Sequence, residues 1–230
     1  MGRKTALVQI VRTKRCGYGV MLDERSVRTP AGKPLVLPNQ ALAAAIAAEW
    51  AAQDDTVRPR TMAMMTLAAT ALDRVAPRAS AVAAEIARYG ETDLLCYRDA
   101  AGGALTRHQN AAWQPVLDWL AEAHGARLKP VAGVMPATQD KAALDALRRA
   151  VDAHEPFRLA ALHTAVTATG SAALGMALIG GRLTACQAWR CARLDDEWQA
   201  ERWGEEEDAR QRGAALREEL AAVERFAALL

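Results

Sequence analysis

The sequence predicts an α+β protein, with a small β-rich N-terminal domain carrying one helix, residues 1–60, and a larger all-helical C-terminal domain, residues 61–230. Three observations predict it. The first 37 residues fall into short apolar runs separated by turn residues, the pattern of a small antiparallel meander. At Pro38 the apolar period changes to the helical one, near 3.6 residues, and largely keeps it to the C-terminus. No internal repeat or low-complexity tail interrupts the pattern.

Each element follows in order. "TALVQIVRT" and "GYGVML" read as strands split by the basic turn "KRCG". "DER" at Asp23–Arg25 fits a turn, and "SVRT" and "PLVL" flank "PAGK", whose Pro and Gly fit a tight one. Asn39 can cap a helix over "ALAAAIAAEWAAQ", where Leu42, Ile46 and Trp50 share a stripe. "DDTVRPR" connects to a helix that Thr61 can cap, "MAMMTLAATALDRVA", which Pro77 closes or restarts. "RASAVAAEIARYG" is helical to Gly90. "ETDLLCYRD" breaks the pattern as an extended or turn segment, "GALTRHQNAAWQPVLDWLAEAHG" resumes as a helix with a kink expected at Pro115, and "ARLKPVAGVMP" reads as loop. Helices over 139–154, 157–180, 184–203 and 205–229 complete the chain.

Several chemistries are disfavoured. With 29 basic and 27 acidic residues the chain lacks the excess of positive charge usual in a nucleic-acid binder. Cys16, Cys96, Cys186 and Cys191 follow no disulfide or zinc spacing, so they read as reduced thiols, the last two as packing residues. No GxxxxGK[ST], GxGxxG or GxSxG is present, so no nucleotide, cofactor or metal is expected. The four histidines are scattered, and His163 reads as a core residue. The first twenty residues contain no unbroken apolar stretch of a secretory signal. Residues 159–179 are long enough to span a bilayer, but His163, three threonines, Ser171 and two glycines favour a buried helix packed by its neighbours. Glu85, Arg88, Tyr89, Glu91 and Asp93 could form an unrecognised active site. A polar helix terminus explains them more simply, with Asp93 satisfying backbone N–H groups.

Binding is therefore the leading class, and the segment "LDDEWQAERWGEEED" is its most distinctive feature. Residues 194–208 hold eight acidic side chains and one basic one, with two tryptophans among them. On one helix from Thr184, Cys191, Leu194 and Trp198 form an apolar stripe that makes Trp198 a core residue. Trp189, Asp196, Gln199 and Trp203 form a second stripe, flanked by Asp195. Aromatics with charge at the rim suit an interface. The acids at 205–208 suit the start of the following helix.

Taken together, "LDERSVRTPAGKPLVLP", "AIAAEWAAQ", "RPRTMAMMTLAATALDRV", "RYGETDLLCYR", "QNAAWQPVLDW", "LAALHTAVTATGSAALGMAL" and "ARLDDEWQAERWGEEEDARQR" resemble the assembly chaperones of the F-type ATP synthase catalytic head, in the branch that handles the α subunit. The resemblance runs in order from about Val20 to about Arg212. It implies a β-rich domain before a helical one, which agrees with the reading of the residues. It also implies a chaperone without enzymatic activity that keeps an unassembled α subunit from aggregating and releases it to the β subunit. The start of the chain, close to the first strand, suggests a bacterial cytoplasmic member; eukaryotic relatives would act in the mitochondrial matrix. The expected contact residues are Asp195, Asp196, Gln199, Trp203 and Trp50, although the stripe with Leu42 and Ile46 favours Trp50 as a core anchor between the β unit and its helix. The competing reading is an enzyme or small-molecule binder with a site between the two domains.

Overall fold

A computed structural model describes residues 7–13, 16–133, 135 and 138–230. Lys14 and Arg15 of the expected first turn, and Val134 and Pro136 of the expected loop, lie outside the described residues. The fold is α+β. β1 (Val8–Thr13) pairs antiparallel with β2 (Gly17–Leu22), Val8 opposite Leu22 through Thr13 opposite Gly17, and β2 continues to β3 (Arg25–Ser26). Leu37 returns to exchange both backbone hydrogen bonds with Tyr18, 2.9 and 2.8 Å, which closes the meander. Gly17 is required where the layers meet, because a Cβ there would stand 2.7 Å from Val36 and 2.8 Å from the Leu37 carbonyl.

α1 (Gln40–Ala51) starts where the sequence places it, with the Asn39 side chain accepting from the Leu42 N–H at 2.9 Å. Leu42 and Ile46 are fully buried from it, whereas Trp50 is only half-buried. α2 (Ala63–Thr70) is capped differently from expectation. Thr61 Oγ1 donates to the Arg58 carbonyl, and the free N–H groups of Met64 and Met65 are taken by the carboxylate of Glu49, at 2.7 and 2.8 Å. One α1 side chain thus satisfies the start of α2 across fifteen residues, an arrangement that also puts negative charge at the positive end of the helix. Glu49→Ala is expected to lower unfolding free energy by about 1–2 kcal/mol, the usual cost of a lost cap. An unchanged denaturation midpoint would mean that water replaces the carboxylate. The expected division near residue 60 falls in the Pro59–Thr61 turn that this contact spans.

Pro77 restarts the helix through a π turn (Ala71–Val75) and a 3-10 turn, after which α3 (Ala79–Arg88) runs on. β4 (Tyr97–Arg98) lies in the segment read as extended. α4 (Ala104–His124) carries Pro115 and ends at Gly125 with a left-handed φ of 71°. The segment read as loop contains a short strand, β5 (Val131–Ala132), parallel to β4. A two-residue ladder has no periodicity to read, so only the fold discloses it.

α5 (Lys141–Asp152) follows, and the helix expected over 157–180 is two, α6 (Pro156–Thr169) and α7 (Ala172–Ile179). Gly170 turns left-handed at φ 70°, and Ser171 caps α7 by accepting from Leu174 N at 3.0 Å. Every residue of α7 is buried. The small residues are there for close approach: a Cβ on Gly175 would collide with Val166 of α6. No helix among the described residues is long and apolar enough to cross a membrane. His163 is not a core residue; it is a third exposed, with Nε2 3.7 Å from Glu85.

The helix expected over 184–203 is also two, α8 (Ala185–Ala192) and α9 (Leu194–Trp203), and α10 (Glu207–Ala228) closes the chain. Thr184 and Gln187 form a reciprocal capping box at the start of α8. The core runs from the sheet through α1, α2 and α6 to α10, with Phe226, Trp113, Leu37 and Leu147 among its fully buried side chains.

Candidate partner-binding surface around α9

The α8–α9 break is made by one side chain. Arg193 leaves helical geometry at φ −105°, ψ 9°, and its side chain is only 7% exposed. Its guanidinium donates to the Ala209 carbonyl at 3.2 Å and to Glu205 at 3.1 Å, and lies 3.5 Å from Asp196. Glycine is needed opposite it: a Cβ on Gly213 of α10 would stand 3.0–3.1 Å from the guanidinium atoms. The Gly213 carbonyl accepts from Trp189 Nε1 at 2.7 Å. Burying a guanidinium is unfavourable unless it is paired and hydrogen-bonded. Here the pairing fixes the angle between α8 and α9 and the course of the 204–209 segment.

The break changes the phase of the face expected from a continuous helix. Trp189 belongs with α10, half-buried and under Arg217. Trp198 is half-buried rather than core, its ring 5.0 Å from that of His108 on α4 and covered at 3.4 Å by the Arg202 guanidinium. α9 itself has no buried residue. Asp196, Gln199 and Trp203 do stand together, at helical spacings of three and four, along a cleft of about 270 Å³ against residues 204–212. Trp203 is 77% exposed. Residues 201–208 are all exposed, and the cleft beside Trp203 is lined by Asp196, Glu205 and Glu206 together with Arg193 and Arg212.

Asp195 faces the other way. Its carboxylate accepts from Gln109 Nε2 at 2.8 Å. Gln109, itself buried, accepts from Asp99 N at 2.7 Å and offers its backbone carbonyl to Arg98 Nη1 at 2.8 Å. Arg98 is buried beside Trp113, 5.0 Å from its ring centroid. Burial pushes the Asp195 carboxyl up from its ordinary range; Gln109 and Arg98 pull it back, and Asp196 and Asp99 add to the rise. Asp195 is therefore a tie between α9 and α4. Trp50 stands apart on α1, which packs on β1, β2 and α2. Its Nε1–H is buried and has no hydrogen-bond partner among the described residues.

Gln109 and Arg193 were not singled out in the sequence. Gln109 had a signal, a polar residue on the stripe Gln109–Trp113–Val116–Leu117–Leu120 that α4 buries. Arg193 had none, since an arginine between two apolar turns looks solvated. The rival cluster at 85–93 does not converge. Asp93 is fully buried as a cap for α7, Glu85 turns to Arg78 and His163, and Arg88 and Glu91 are exposed. Among the described residues no group of three His, Cys, Asp or Glu side chains is placed to hold a metal ion. What the α9 surface offers is an exposed tryptophan in an acid-rich segment, on a helix whose start is held by Arg193.

Residues 4–121 match the family described as ATP12 chaperone protein. The fold superposes on the crystal structure of Atp12 from Paracoccus denitrificans with a TM-score of 0.94 at 44% identity, over 97% of this chain and 96% of that one. A crystal structure of an Agrobacterium tumefaciens protein gives 0.88 at 40% identity, over 96% of this chain and 83% of that one. The mitochondrial protein atp12 of Schizosaccharomyces pombe is 25% identical over 202 residues, 83% of this chain and 69% of that protein. The match of sequence across the first half and of fold across nearly the whole is one of common descent, and the chain belongs to the ATP12 chaperone family, the ATP synthase assembly chaperones that its sequence resembles.

Proposed function

We propose that this protein binds the unassembled α subunit of an F-type ATP synthase in the bacterial cytoplasm, keeps it from aggregating, and releases it when a β subunit takes the same surface. It does this without catalysis, nucleotide or cofactor. The observation that carries the reading is α9: a helix with no buried residue, set at a fixed angle by a buried arginine, presenting Trp203 among acids. A solvated helix has no need of a tryptophan that is three-quarters exposed, and exposed aromatics are enriched at interface centres. Handover is mass action. A chaperone that sequesters the lone subunit lowers the concentration of its aggregation-prone surface, then yields to a partner with a larger interface. Asp196, Gln199 and Trp203 form the contact face, Asp195 supports it from behind, and Trp50 acts through its packing against the core.

The test separates these roles by stability and by holding. Light scattering of an α subunit diluted from denaturant is followed with increasing chaperone. Trp203→Ala and Asp196→Lys are expected to unfold like wild type, within about 0.5 and 1 kcal/mol, since both sites are exposed and Glu205 still pairs Arg193. Each should require several-fold more chaperone to suppress scattering, and Asp196→Lys should also flatten the salt dependence. Asp195→Lys differs, because it inserts a cation beside buried Arg98 and orphans Gln109, so about 1–3 kcal/mol of stability goes with it. Wild-type holding by stable Trp203→Ala and Asp196→Lys variants would remove this face from the reading.

A further inference from the structure

The opposite side of α9 carries a second feature. On α4, His108, Ala111 and Pro115 are exposed at spacings of three and four, with Ala112 beside them. They form the floor of two clefts that share Ala111 and Ala112 and are therefore one trough. Toward α9 it measures about 420 Å³ and is walled by Leu194, Trp198, Glu197 and Glu201. Toward α8 it measures about 330 Å³ and is walled by Leu183, Cys191, Arg182 and Arg190. The middle of the floor, Ala111, Ala112 and Pro115, is apolar and shallow in side chains, His108 lies at one end of it, and the walls at the two ends carry charge of opposite sign.

Two further details indicate what lies in it. Pro115 has no N–H, so the carbonyl of Ala111, four residues earlier, loses its helical donor in the middle of the floor. A trough with a freed backbone acceptor suits a chain that brings a donor. At the acidic end the Trp198 ring takes a guanidinium, that of Arg202 at 3.4 Å, which a client cation would displace or share between Glu197 and Glu201. An aromatic face flanked by Glu197 and Glu201 favours a cation there.

We infer that this trough seats one segment of the client chain, with an arginine or lysine at the Trp198–Glu201 end, small or apolar residues over Ala111 and Ala112, and a carboxylate at the Arg182–Arg190 end. The inference rests on the α-subunit reading above and specifies the chemistry of what is bound. α9 then works as a ridge gripped on both sides, with Trp203 on one flank and the trough on the other. The polarity fixes the direction in which the segment lies, and like-charge contacts reject the reverse orientation.

The test uses the full chain and the purified α subunit. Ala111→Trp fills the floor from an exposed helical position, and Glu201→Lys and Arg190→Glu each reverse one end. A photo-crosslinker at Gln187, exposed on the α8 rim, reports proximity without altering the α4 floor, and since it removes the Thr184–Gln187 capping box its fold is checked by the unfolding midpoint first. The expected results are an affinity at least tenfold weaker for Ala111→Trp, a several-fold loss for each reversal, near-wild-type binding for Ala111→Ser, and an adduct between position 187 and the α subunit. If wild type binds the α subunit, Ala111→Trp and both reversals fold and bind equally well, and position 187 gives no adduct, the trough is overturned while the Trp203 face stands. If Ala111→Trp fails to fold, the reversals and the adduct decide in the same way. If wild type does not bind the α subunit at all, both readings fall.

Discussion

Replacing Trp113 by alanine is expected to lower the unfolding free energy by about 3–5 kcal/mol, the range for a buried tryptophan in a well-packed core. Trp113 is 1% exposed in the middle of α4, so the transfer and cavity costs apply in full. Two polar consequences add to them. Its Nε1–H donates to the Cys191 carbonyl at 2.9 Å, which ties α4 to the end of α8, and that carbonyl would be orphaned. Arg98 lies over the ring at 5.0 Å with Nε and Nη2 otherwise unpartnered among the described residues, so the alanine leaves a buried cation facing a cavity. For a chain of this size the midpoint should fall by roughly 10 °C. Trp113→Phe keeps most of the packing and loses the donor, and about 1–2 kcal/mol is expected. If phenylalanine costs as much as alanine, the hydrogen bond and not the ring volume holds α4 to α8. Because α9 hangs from this junction, Trp113→Ala should also impair client holding below its unfolding temperature. A variant that is destabilised yet holds the client normally would show that α9 keeps its place without the junction.

Asp93→Ala is expected to cost about 3 kcal/mol, the second largest effect. The carboxylate is fully buried and accepts three hydrogen bonds, from Ser171 Oγ at 2.7 Å, Leu95 N at 3.0 Å and Ala173 N at 3.1 Å. It closes the N-terminus of α7, the helix whose every residue is buried, so its loss strands donors that no solvent reaches. Desolvation pushes the Asp93 carboxyl upward, and these donors oppose it. Asp93→Asn preserves shape but turns an NH₂ toward donors, so a loss of about 1–2 kcal/mol is expected, smaller than for alanine. The check is the urea midpoint at constant m-value. An alanine variant as stable as wild type would mean that α7 is held by packing alone.

The elements themselves were legible because their signals are local. The meander, the Asn39 cap, the restart at Pro77 and the end of α4 at Gly125 each depend on residues within a turn of the feature. The same holds for the spacing of Asp196, Gln199 and Trp203, which survives because all three lie within α9. Family membership was legible for a related reason, since the quoted motifs lie in order along the chain.

What only the tertiary structure decided is where long helices stop and which acids face inward. The α6–α7 break has a local signal in Gly170 and the Ser171 cap, with Asp93, seventy-eight residues earlier, reinforcing it; nothing near Arg193 forbids a continuous helix, and that break is stabilised from a distance, by Glu205 and Ala209 on the far side of α9. Glu49 caps α2 from α1, and Gln109 draws the Asp195 carboxylate toward α4. In each case the determining energy is that of satisfying a buried charge or amide, and it exists only once distant segments have come together. A sequence displays which groups carry charge, whereas the fold selects which of them are taken out of water.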